Sequence, residues 1–361
     1  MSARPQPRAK VKAIPQYSRA AAGRAVTWNV SSNESTVPPS PAILEAITRA
    51  GAQAHLYPTL TGEELTDAVS ARVGVSPEQV VVGGGSLSLL QLALTAFTGS
   101  GTEVVHAWRS YEAYPILISI ADADRVPVPL DAAHRHDVDA MLAAITPRTA
   151  AVMICNPNNP TGTALPDDEV LRMIEAVPRD VVVLLDEAYR EFGESRLDVA
   201  DLVGRYENLI VFRTFSKAYG LAGLRAGYAL GSGSIMTSMR AVAPPFLLSA
   251  VAEAAALAAL DDPEHTTHIV ASVCQSREAF EKELRERGLD VPPSQANFVF
   301  LPVADRALEL EQACAARGVA VRAFAGDGVR VTMGYPGAEA AVLEAVDAVF
   351  SISEDAGRSP A

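Results

Sequence analysis

The chain has 361 residues, of which 49% are hydrophobic and 20% charged, and this composition is typical of a globular protein with one large or two medium domains. The formal net charge of -13 argues against sequence-independent binding of nucleic acid or of an anionic membrane, because both reward basic patches. The three cysteines are far apart and form no CxxC pair, so we expect neither a disulfide framework nor a bound metal. The sequence shows no secretory signal and no apolar run of about 18 residues, so we expect a cytoplasmic protein.

The first part of the chain, residues 1–26, is rich in Pro, Ala, Arg and Lys and is expected to be an arm with little structure of its own. A helix over Pro41–Ala50 is predicted by Ser40 at its N-cap, by proline at its first position and by a glycine after its end. The segment Thr61–Glu64 has the spacing of a capping box and predicts a second helix, which Gly74 ends.

From residue 80 onward, short β-branched runs alternate with helical patterns such as Leu87–Phe97 and Asp167–Val177, which predicts an α/β layer structure. Several runs are almost wholly apolar, as the strands of a parallel sheet buried on both faces must be. The predicted strands are Val80–Val82, Glu103–His106, Ala150–Cys155, Val181–Asp186, Leu209–Thr214 and Ala226–Leu230.

After about residue 246 the pattern changes to that of a smaller α+β domain. Two helices are predicted, Leu247–Leu260 and then Pro263–Arg287, which Gly288 closes. Strands are expected near Asn297–Leu301, Val319–Arg322 and Val329–Met333. We therefore predict an N-terminal arm with part of the small domain over residues 1–50, a large domain over 51–260 and a C-terminal small domain over 261–361.

The strongest chemical signal is Lys217, which follows an apolar strand in the segment RTFSKAYGLAGLRAGY. An exposed lysine is a poor nucleophile, but an apolar site or a nearby cation lowers its pKa and lets the amine form a Schiff base. Thr214, Ser216 and Arg225 surround it in the sequence, and all three are natural phosphate ligands. For this lysine taken alone, a surface turn is the alternative.

Asp186 ends the apolar run Val181–Leu185, and the carboxyl end of a buried strand is where α/β proteins place ligand contacts. Burial of a carboxylate costs several kcal/mol unless it is paired. A protonated ring nitrogen would pair it, and the pair would keep the ring an electron sink. Tyr189 lies three residues on and could reach a phenolic oxygen of that ring. An aspartate that caps the next helix is the alternative.

Three further segments add weaker signals. Asn159 lies in the turn CNPNNPTG, whose prolines fix the backbone, and would present its amide to a cofactor oxygen unless the turn is only structural. Glycines precede Ser86 and Leu87 at a predicted helix N-terminus, which can bind an anion, but they match neither a Walker A loop nor GxGxxG. Tyr111 offers a flat face for stacking on an aromatic cofactor, although a core position is the simpler interpretation.

Taken together, the order of these parts resembles that of fold-type I pyridoxal-5'-phosphate (PLP) enzymes, over roughly residues 29–350. Within that superfamily the segments CNPNNPTG, DEAYREF, RTFSKAYGLAGLRAGY and PSQANFVF are similar to those of the histidinol-phosphate aminotransferase group. The resemblance implies an α/β fold with a large domain, built on a mainly parallel sheet flanked by helices, and a smaller α+β domain. It also implies PLP as the cofactor, an amino acid and a 2-oxo acid as substrates, and a homodimer.

The resemblance also implies a role for each matching residue. Lys217 would carry the cofactor and move the proton, Asp186 would pair the ring nitrogen, and Tyr189 would bind the phenolic oxygen together with Asn159. Tyr111 would stack on the ring. The residues expected to bind the phosphate are Ser86, Leu87 (through its backbone), Thr214, Ser216, Arg225 and, from the neighbouring subunit, Tyr57. The residues expected to bind the substrate are Arg330, Arg322, Asn33 and Tyr17.

Departures from the group's pattern bear on the substrate. Four segments of this chain differ from the group's usual sequence. Tyr57-Pro-Thr stands where the group has Tyr-Pro-Asp, and Asn33–Pro38 where it has Asn-Glu-Asn-Pro-Tyr-Gly. Gly85–Ser88 stands where the group has Gly-Ser-Asp-Glu, and Trp108-Arg-Ser where it has a proline-rich turn. The last two variants resemble the actinobacterial branch of aromatic amino acid aminotransferases. We therefore expect transfer of the amino group of Phe, Tyr or Trp to a 2-oxo acid such as 2-oxoglutarate, in a pocket that Trp108 and Leu87 make less polar.

Three other functions stay open at this point. Histidinol-phosphate aminotransferase is the nearest, although its doubly charged substrate needs several cationic or N–H partners. A ligand sensor joined to a DNA-binding helix-turn-helix is disfavoured by the acidic charge and by the roughly 25 residues before the predicted fold. Another PLP reaction, such as β-elimination or decarboxylation, shares the same coenzyme-binding parts.

Overall fold

The computed structural model describes residues 5–14 and 26–350. Its strands fall into one large sheet and two small ones. In chain order the strands are β1 (Trp28–Asn29), β2 (Val80–Gly83), β3 (Glu103–Trp108), β4 (Asp124–Pro129), β5 (Thr149–Cys155), β6 (Val182–Asp186), β7 (Leu209–Thr214), β8 (Gly227–Gly231), β9 (Phe298–Leu301), β10 (Val319–Ala320), β11 (Arg322–Phe324) and β12 (Gly328–Thr332).

The helices cover both faces of the large sheet and surround the small ones. They are α1 (Ala9–Lys12), α2 (Pro41–Gly51), α3 (Glu63–Val73), α4 (Ser86–Phe97), α5 (Tyr114–Ile120), α6 (Val138–Ala143), α7 (Asp167–Ala176), α8 (Val199–Arg205), α9 (Gly233–Val242), α10 (Ala250–Leu260), α11 (Pro263–Glu286), α12 (Ala307–Ala316) and α13 (Pro336–Phe350). None of the helices in these described residues is long and apolar enough to cross a membrane.

The large sheet has seven strands in the order β2-β8-β7-β6-β5-β3-β4. All neighbours are parallel except β8, which runs antiparallel to both β2 and β7. Both faces are buried, because Val183 and Leu185 pack into one hydrophobic cluster while Val182 and Leu184 pack into the other. This two-sided burial explains the unbroken apolar runs in the sequence, and it confirms the predicted α/β fold with a mainly parallel sheet.

The two small sheets contain the remaining strands, which come from the N-terminal and C-terminal parts of the described chain. Strands β11, β12 and β9 form an antiparallel sheet, in which Arg322 lies directly opposite Arg330. Strand β1 pairs in parallel with β10. Strand β1 therefore links the N-terminal part of the described chain to the C-terminal part. The predicted boundaries at residues 50 and 260 stay a prediction.

The strand predictions are correct to within one or two residues for most of the chain, with three exceptions. Strand β1 was not predicted, because two residues are too short to form a pattern. Strand β4 was not predicted, because it lies at the edge of the sheet, carries two prolines and is only partly buried. The predicted strand Val319–Arg322 is wrong as a single element. The chain changes sheets at the buried Val321, so that β10 pairs with β1 and β11 with β12.

The helix predictions were also largely correct. Helix α3 does end at Gly74, in the left-handed region, but the predicted capping box at Thr61–Glu64 is wrong, because Gly62 occupies the N-cap and no side chain caps the helix. Helix α10 begins at Ala250 rather than at residue 247, with Ser249 as its cap. Part of the predicted unstructured arm, Ala9–Lys12, forms a helical turn.

Candidate active site

One cavity of about 330 Å³ lies at the carboxyl ends of β5, β6 and β7, beside the N-terminus of α4. This is the edge where an open α/β sheet binds its ligand. The predicted site residues that line it are Asn33, Ser86, Leu87, Tyr111, Asn159, Asp186, Tyr189, Thr214, Ser216, Lys217, Arg225, Arg322 and Arg330. The fold therefore brings together residues that are up to about 300 positions apart in the sequence.

Lys217 lies on the loop after β7, with its amine inside the cavity. Its Nζ donates to the backbone oxygens of Asn33, at 2.9 Å, and Ser32, at 3.3 Å, and lies 5.7 Å from the centroid of the Tyr189 ring. Burial, followed by the positive charge of Arg330, lowers the pKa of this amine to about 7. At neutral pH a large fraction of Lys217 is therefore unprotonated, as a nucleophile or a base must be.

Asp186 is the last residue of β6, and it is 4% exposed. Its Oδ2 accepts a hydrogen bond from the Tyr114 hydroxyl at 2.8 Å, and its Oδ1 accepts from the backbone N–H of Ala188 at 3.1 Å. Burial raises the pKa of Asp186 to about 6, although both hydrogen bonds oppose the shift. A cation placed at this carboxylate would restore the ionised form.

Tyr189 packs edge-on against Phe298, with ring centroids 5.1 Å apart, and its hydroxyl accepts a hydrogen bond from the side-chain amide of Asn33 at 3.0 Å. Asn33 also accepts from Thr332 through its side chain. The Tyr189 hydroxyl keeps its own proton for donation, and burial raises the pKa of that hydroxyl. Asn33, predicted to bind substrate, therefore holds Tyr189 and Lys217 in place through direct hydrogen bonds.

Asn159 and Arg330 meet across the cavity wall. Arg330 donates from Nη1 to Oδ1 of Asn159, at 2.5 Å, and from Nη2 to the backbone oxygen of Ser31, at 2.6 Å. Arg330 is 7% exposed and stands over the Phe298 ring. These contacts fix a guanidinium at the wall of the cavity, and they turn the NH₂ group of Asn159 away from Arg330.

A cradle for an anion lies at the N-terminus of α4. Arg225 donates to the Ser216 hydroxyl at 3.0 Å, and the Thr214 hydroxyl donates to the same oxygen at 2.9 Å. A Cβ atom at Gly85 would lie 2.5 Å from Nη2 of Arg225, so any other residue there would displace the guanidinium from its present position. The first turn of the 12-residue helix α4 begins at Ser86 and adds backbone N–H donors. Charged, hydroxyl and backbone donors together suit a phosphate group.

Tyr111 lines the cavity and lies edge-on to Tyr114, with ring centroids 5.7 Å apart. Trp108 does not line it; among the described residues, Trp108 instead contacts His106 and the guanidinium of Arg109. The expected contribution of Trp108 to an apolar pocket is therefore not found. Leu87 does line the cavity, as expected.

Two predicted ligands are not among the described residues that line the cavity. Tyr57 is 83% exposed, stacks on Phe246 at 4.7 Å and is absent from the described lining of the cavity in its own chain. That position suits a residue that acts on another subunit. Tyr17 falls outside the described residues.

Three residues that sequence reasoning missed contribute to the site. Tyr114 holds Asp186, Glu112 pairs with Arg322, and Asn158 joins the loop of Asn159 to that of Tyr111 through hydrogen bonds with Ser110 at 2.8 Å and with the backbone of Arg109 at 3.2 Å. Asn158 and Asn159 are adjacent in the CNPNNPTG turn, and only the fold shows that Asn159 is the one that lines the cavity. Nothing in the sequence distinguishes Tyr114 from a core aromatic.

The lining residues fit the cofactor that the resemblance implies. PLP has a phosphate, a basic ring nitrogen and a phenolic oxygen on a flat ring. The cavity offers an anion cradle, a buried carboxylate of raised pKa, and polar groups on Asn159 and Tyr189. A lysine of lowered pKa completes the set.

Comparison with known proteins agrees with this geometry. The family model for aminotransferase class I and II matches residues 26–349. An aromatic amino acid aminotransferase of Streptomyces coelicolor is 43% identical over 97% of both chains, and one of Streptomyces avermitilis is 44% identical over 91% of this chain and 93% of the relative. A histidinol-phosphate aminotransferase of Sinorhizobium meliloti, solved in complex with pyridoxal-5'-phosphate, superposes with a TM-score of 0.87 at 27% identity, over 96% of this chain and 98% of that one. The chain therefore belongs to the class I and II aminotransferases, and it is a PLP-dependent transaminase of fold type I.

Proposed function

We propose that this aminotransferase takes the amino group of an aromatic amino acid and passes it to a 2-oxo acid such as 2-oxoglutarate. The observation that carries the proposal is the cavity in which Lys217, Asp186 and the anion cradle meet beside Arg330. Relatives at 38–45% identity that carry the name aromatic amino acid aminotransferase support the choice of donor.

The residues that would hold the cofactor follow from the donors described above. The phosphate would be bound by Arg225, Ser216, Thr214 and the N-terminus of α4 at Ser86 and Leu87. Asp186 would pair the ring nitrogen, Asn159 and Tyr189 would donate to the phenolic oxygen, and Tyr111 would stack on the ring. When bound, PLP supplies an electron sink for the substrate's α-carbon.

The chain's own groups would perform the proton transfer and the orientation. The Nζ of Lys217, with its pKa of about 7, would remove the substrate's α-proton and return a proton later in the cycle. Arg330, held by Asn159 and Ser31, would bind the α-carboxylate through two parallel hydrogen bonds and so orient the Cα–H bond. Asn33 would keep Lys217 and Tyr189 in place.

We also propose a homodimer in which Tyr57 reaches the phosphate in the neighbouring subunit. Its exposure, its stacking on Phe246 and the nearby exposed Leu56 and Leu60 support a contact with a second copy of the chain. A large, solvent-facing aromatic patch is a common feature of subunit interfaces.

The experiment that tests the proposed donor compares kcat/KM for phenylalanine, tyrosine and histidinol phosphate with 2-oxoglutarate as the common acceptor. We expect both aromatic amino acids to exceed histidinol phosphate by at least about tenfold, because burial of an aromatic ring contributes roughly 1.5–3 kcal/mol. A tenfold advantage of histidinol phosphate would replace the proposal with the histidinol-phosphate activity. Stoichiometric formation of pyridoxamine phosphate in a single turnover would separate transamination from elimination or decarboxylation.

A further inference from the structure

The cavity contains an ion pair that the proposed reaction has not used. Glu112 lies one residue after Tyr111 and accepts hydrogen bonds from Arg322, from Nε at 3.1 Å and from Nη2 at 2.9 Å. Both residues line the cavity. The side chain of Arg322 is 15% exposed and that of Glu112 is 26% exposed, so the pair is partly shielded from water.

Arg322 also lies directly opposite Arg330 on the neighbouring antiparallel strand. Side chains that face each other in this way have Cβ atoms about 5 Å apart, and like charges there repel. Both arginines line the same cavity, and both stand over the Phe324 ring, at 5.8 Å in each case. Among the described residues, Glu112 is the carboxylate that forms a salt bridge with Arg322, whereas Arg330 donates to Asn159 and Ser31.

The two proposed substrates make opposite demands on this part of the cavity. An aromatic donor brings one carboxylate and an uncharged ring, whereas 2-oxoglutarate brings a second carboxylate. Two arginines side by side suit two carboxylates, but an uncompensated guanidinium beside an aromatic ring would be partly desolvated at a cost in free energy. A cavity that binds both substrates in turn therefore benefits from a counter-ion that pairs with the second arginine when the aromatic donor is bound. The same counter-ion must leave that arginine when 2-oxoglutarate is bound.

We propose that Glu112 is the specificity-determining counter-ion of the site, and this rests on the proposed aromatic donor. With the donor bound, Glu112 pairs with Arg322 and compensates its charge. With a dicarboxylate bound, the distal carboxylate of the substrate takes the place of Glu112 on Arg322. The displaced carboxylate of Glu112 can be solvated by water, because the Glu112 side chain is already partly exposed.

The test measures binding of two unreactive analogues to the PLP-loaded protein by calorimetry: glutarate for the dicarboxylate and 3-phenylpropionate for the aromatic substrate. Glu112→Gln removes the competing charge, so we expect glutarate to bind about tenfold more tightly while 3-phenylpropionate binds equally well or more weakly. Glu112→Asp keeps the charge and should leave the ratio of the two dissociation constants near that of the wild type.

A matched control is available in the neighbouring pair of Arg109 and Asp327, in which Arg109 Nε lies 2.8 Å from the carboxylate. Neither residue is among the described lining of the cavity, so Asp327→Asn should leave the ratio unchanged. If Glu112→Gln changes both dissociation constants by the same factor, or changes neither, the pair is only a structural contact and the inference is wrong.

If the proposed aromatic donor is wrong, the experiments give a different result from the one expected when only the role of Glu112 is wrong. In that case the wild-type enzyme would not turn over phenylalanine with 2-oxoglutarate, and 3-phenylpropionate would not compete with the true donor. An unchanged ratio in an enzyme that does use phenylalanine contradicts the role of Glu112 alone.

Discussion

At the scale of single residues, the site contains two ionisable groups whose pKa values are displaced by the same cause in opposite directions. Burial disfavours the charged form of both, so it lowers the pKa of Lys217 to about 7 and raises that of Asp186 to about 6. A buried base and a buried acid of this kind are typical of catalytic pairs. The effects can be measured in the cofactor-free protein.

Lys217→Met should stabilise the cofactor-free protein, and more so near pH 7 than at pH 9.5. The unfolded chain keeps the Lys217 proton up to its ordinary pKa of 10.5, whereas the folded chain releases it at about 7. Between these values the unfolded state binds more protons, so the stability of the wild type rises with pH while the variant lacks this gain. We expect the variant's advantage in free energy of unfolding to fall by on the order of 1 kcal/mol or more from pH 7 to 9.5.

Urea unfolding of both proteins at the two pH values measures this difference. The contributions of the other titrating groups are the same in both proteins, so they cancel in the comparison. A variant advantage that is independent of pH would contradict the lowered pKa of Lys217.

Tyr114→Phe should weaken PLP binding, because the hydroxyl stabilises the ionised form of Asp186. Its loss raises the pKa of Asp186 above about 6, so less carboxylate is present at neutral pH to pair a ring cation. A hydrogen bond to a charged group contributes about 1.5–3 kcal/mol, so we expect the dissociation constant of PLP to rise about tenfold or more at pH 7.

Titration of the cofactor-free protein with PLP measures that constant. The matched control is Tyr206→Phe, which removes a hydroxyl that donates to Glu175 at 2.6 Å. Tyr206 is absent from the described lining of the cavity, and its replacement should leave PLP affinity unchanged. Equal affinity in wild type and Tyr114→Phe would remove Tyr114 from the site.

The sequence could reveal residues whose chemistry is unusual for their place, but not their partners. Lys217 and Asp186 were predicted because a charge at the end of an apolar strand needs an explanation. Tyr114 and Glu112 look like a core aromatic and a surface acid until helix α5 and strand β11 are placed in space. A partner that is 72 positions away, as Tyr114 is from Asp186, leaves no local pattern in one sequence.

At the scale of elements, the loop between β2 and α4 forms the anion cradle and depends on backbone geometry. Gly85 has φ of +89°, where other residues are strained, and it gives room to Arg225. The strands were predictable from their unbroken apolar runs, and the helices from the period of their apolar residues. The edge strand β4 and the start of α3 were not, because their local patterns are weak.

Gly85→Ala should weaken PLP binding by about tenfold, because its Cβ would displace the guanidinium of Arg225 and one charge-assisted bond contributes 1.5–3 kcal/mol. The control is Gly74→Ala, at the end of α3, where φ is +82° and the new Cβ meets nothing within 4 Å. The control should cost about 1 kcal/mol of stability from backbone strain alone and leave PLP affinity unchanged. If Gly85→Ala lowers the free energy of unfolding but leaves PLP affinity unchanged, the anion cradle does not depend on the close contact between Gly85 and Arg225.

At the scale of the whole molecule, the α/β layer structure was predictable from the sequence, but the pairing of strand β1 with strand β10 was not. Alternating strands and helices predict a parallel sheet because a crossover is needed between parallel strands. The pairing of β1 with β10 joins positions about 290 residues apart through two residues of each strand, which is too short a pattern to recognise. The proposed subunit interface is supported only by the side chains that one chain leaves exposed.

The proposed dimer predicts complementation between two defective variants. A Lys217→Ala chain lacks the base but keeps Tyr57, whereas a Tyr57→Phe chain keeps Lys217 but lacks the hydroxyl offered to its neighbour. If Tyr57 acts across a two-fold interface, a mixed dimer has one site with both residues and one with neither. Random pairing of equal amounts should then restore about a quarter of the wild-type sites.

The measurement is the activity of the two proteins after they are unfolded together and refolded, against each refolded alone. The control mixes Lys217→Ala with Asp186→Asn. Both residues line the cavity of one chain, so no mixed dimer has a complete site and no activity should return. A fully active monomer in sedimentation experiments would exclude a site shared between subunits, and recovery in the control would show that the regained activity does not depend on Tyr57. Recovery only with Tyr57→Phe would place the exposed, stacked Tyr57 in the partner's site and explain why it lies outside its own cavity.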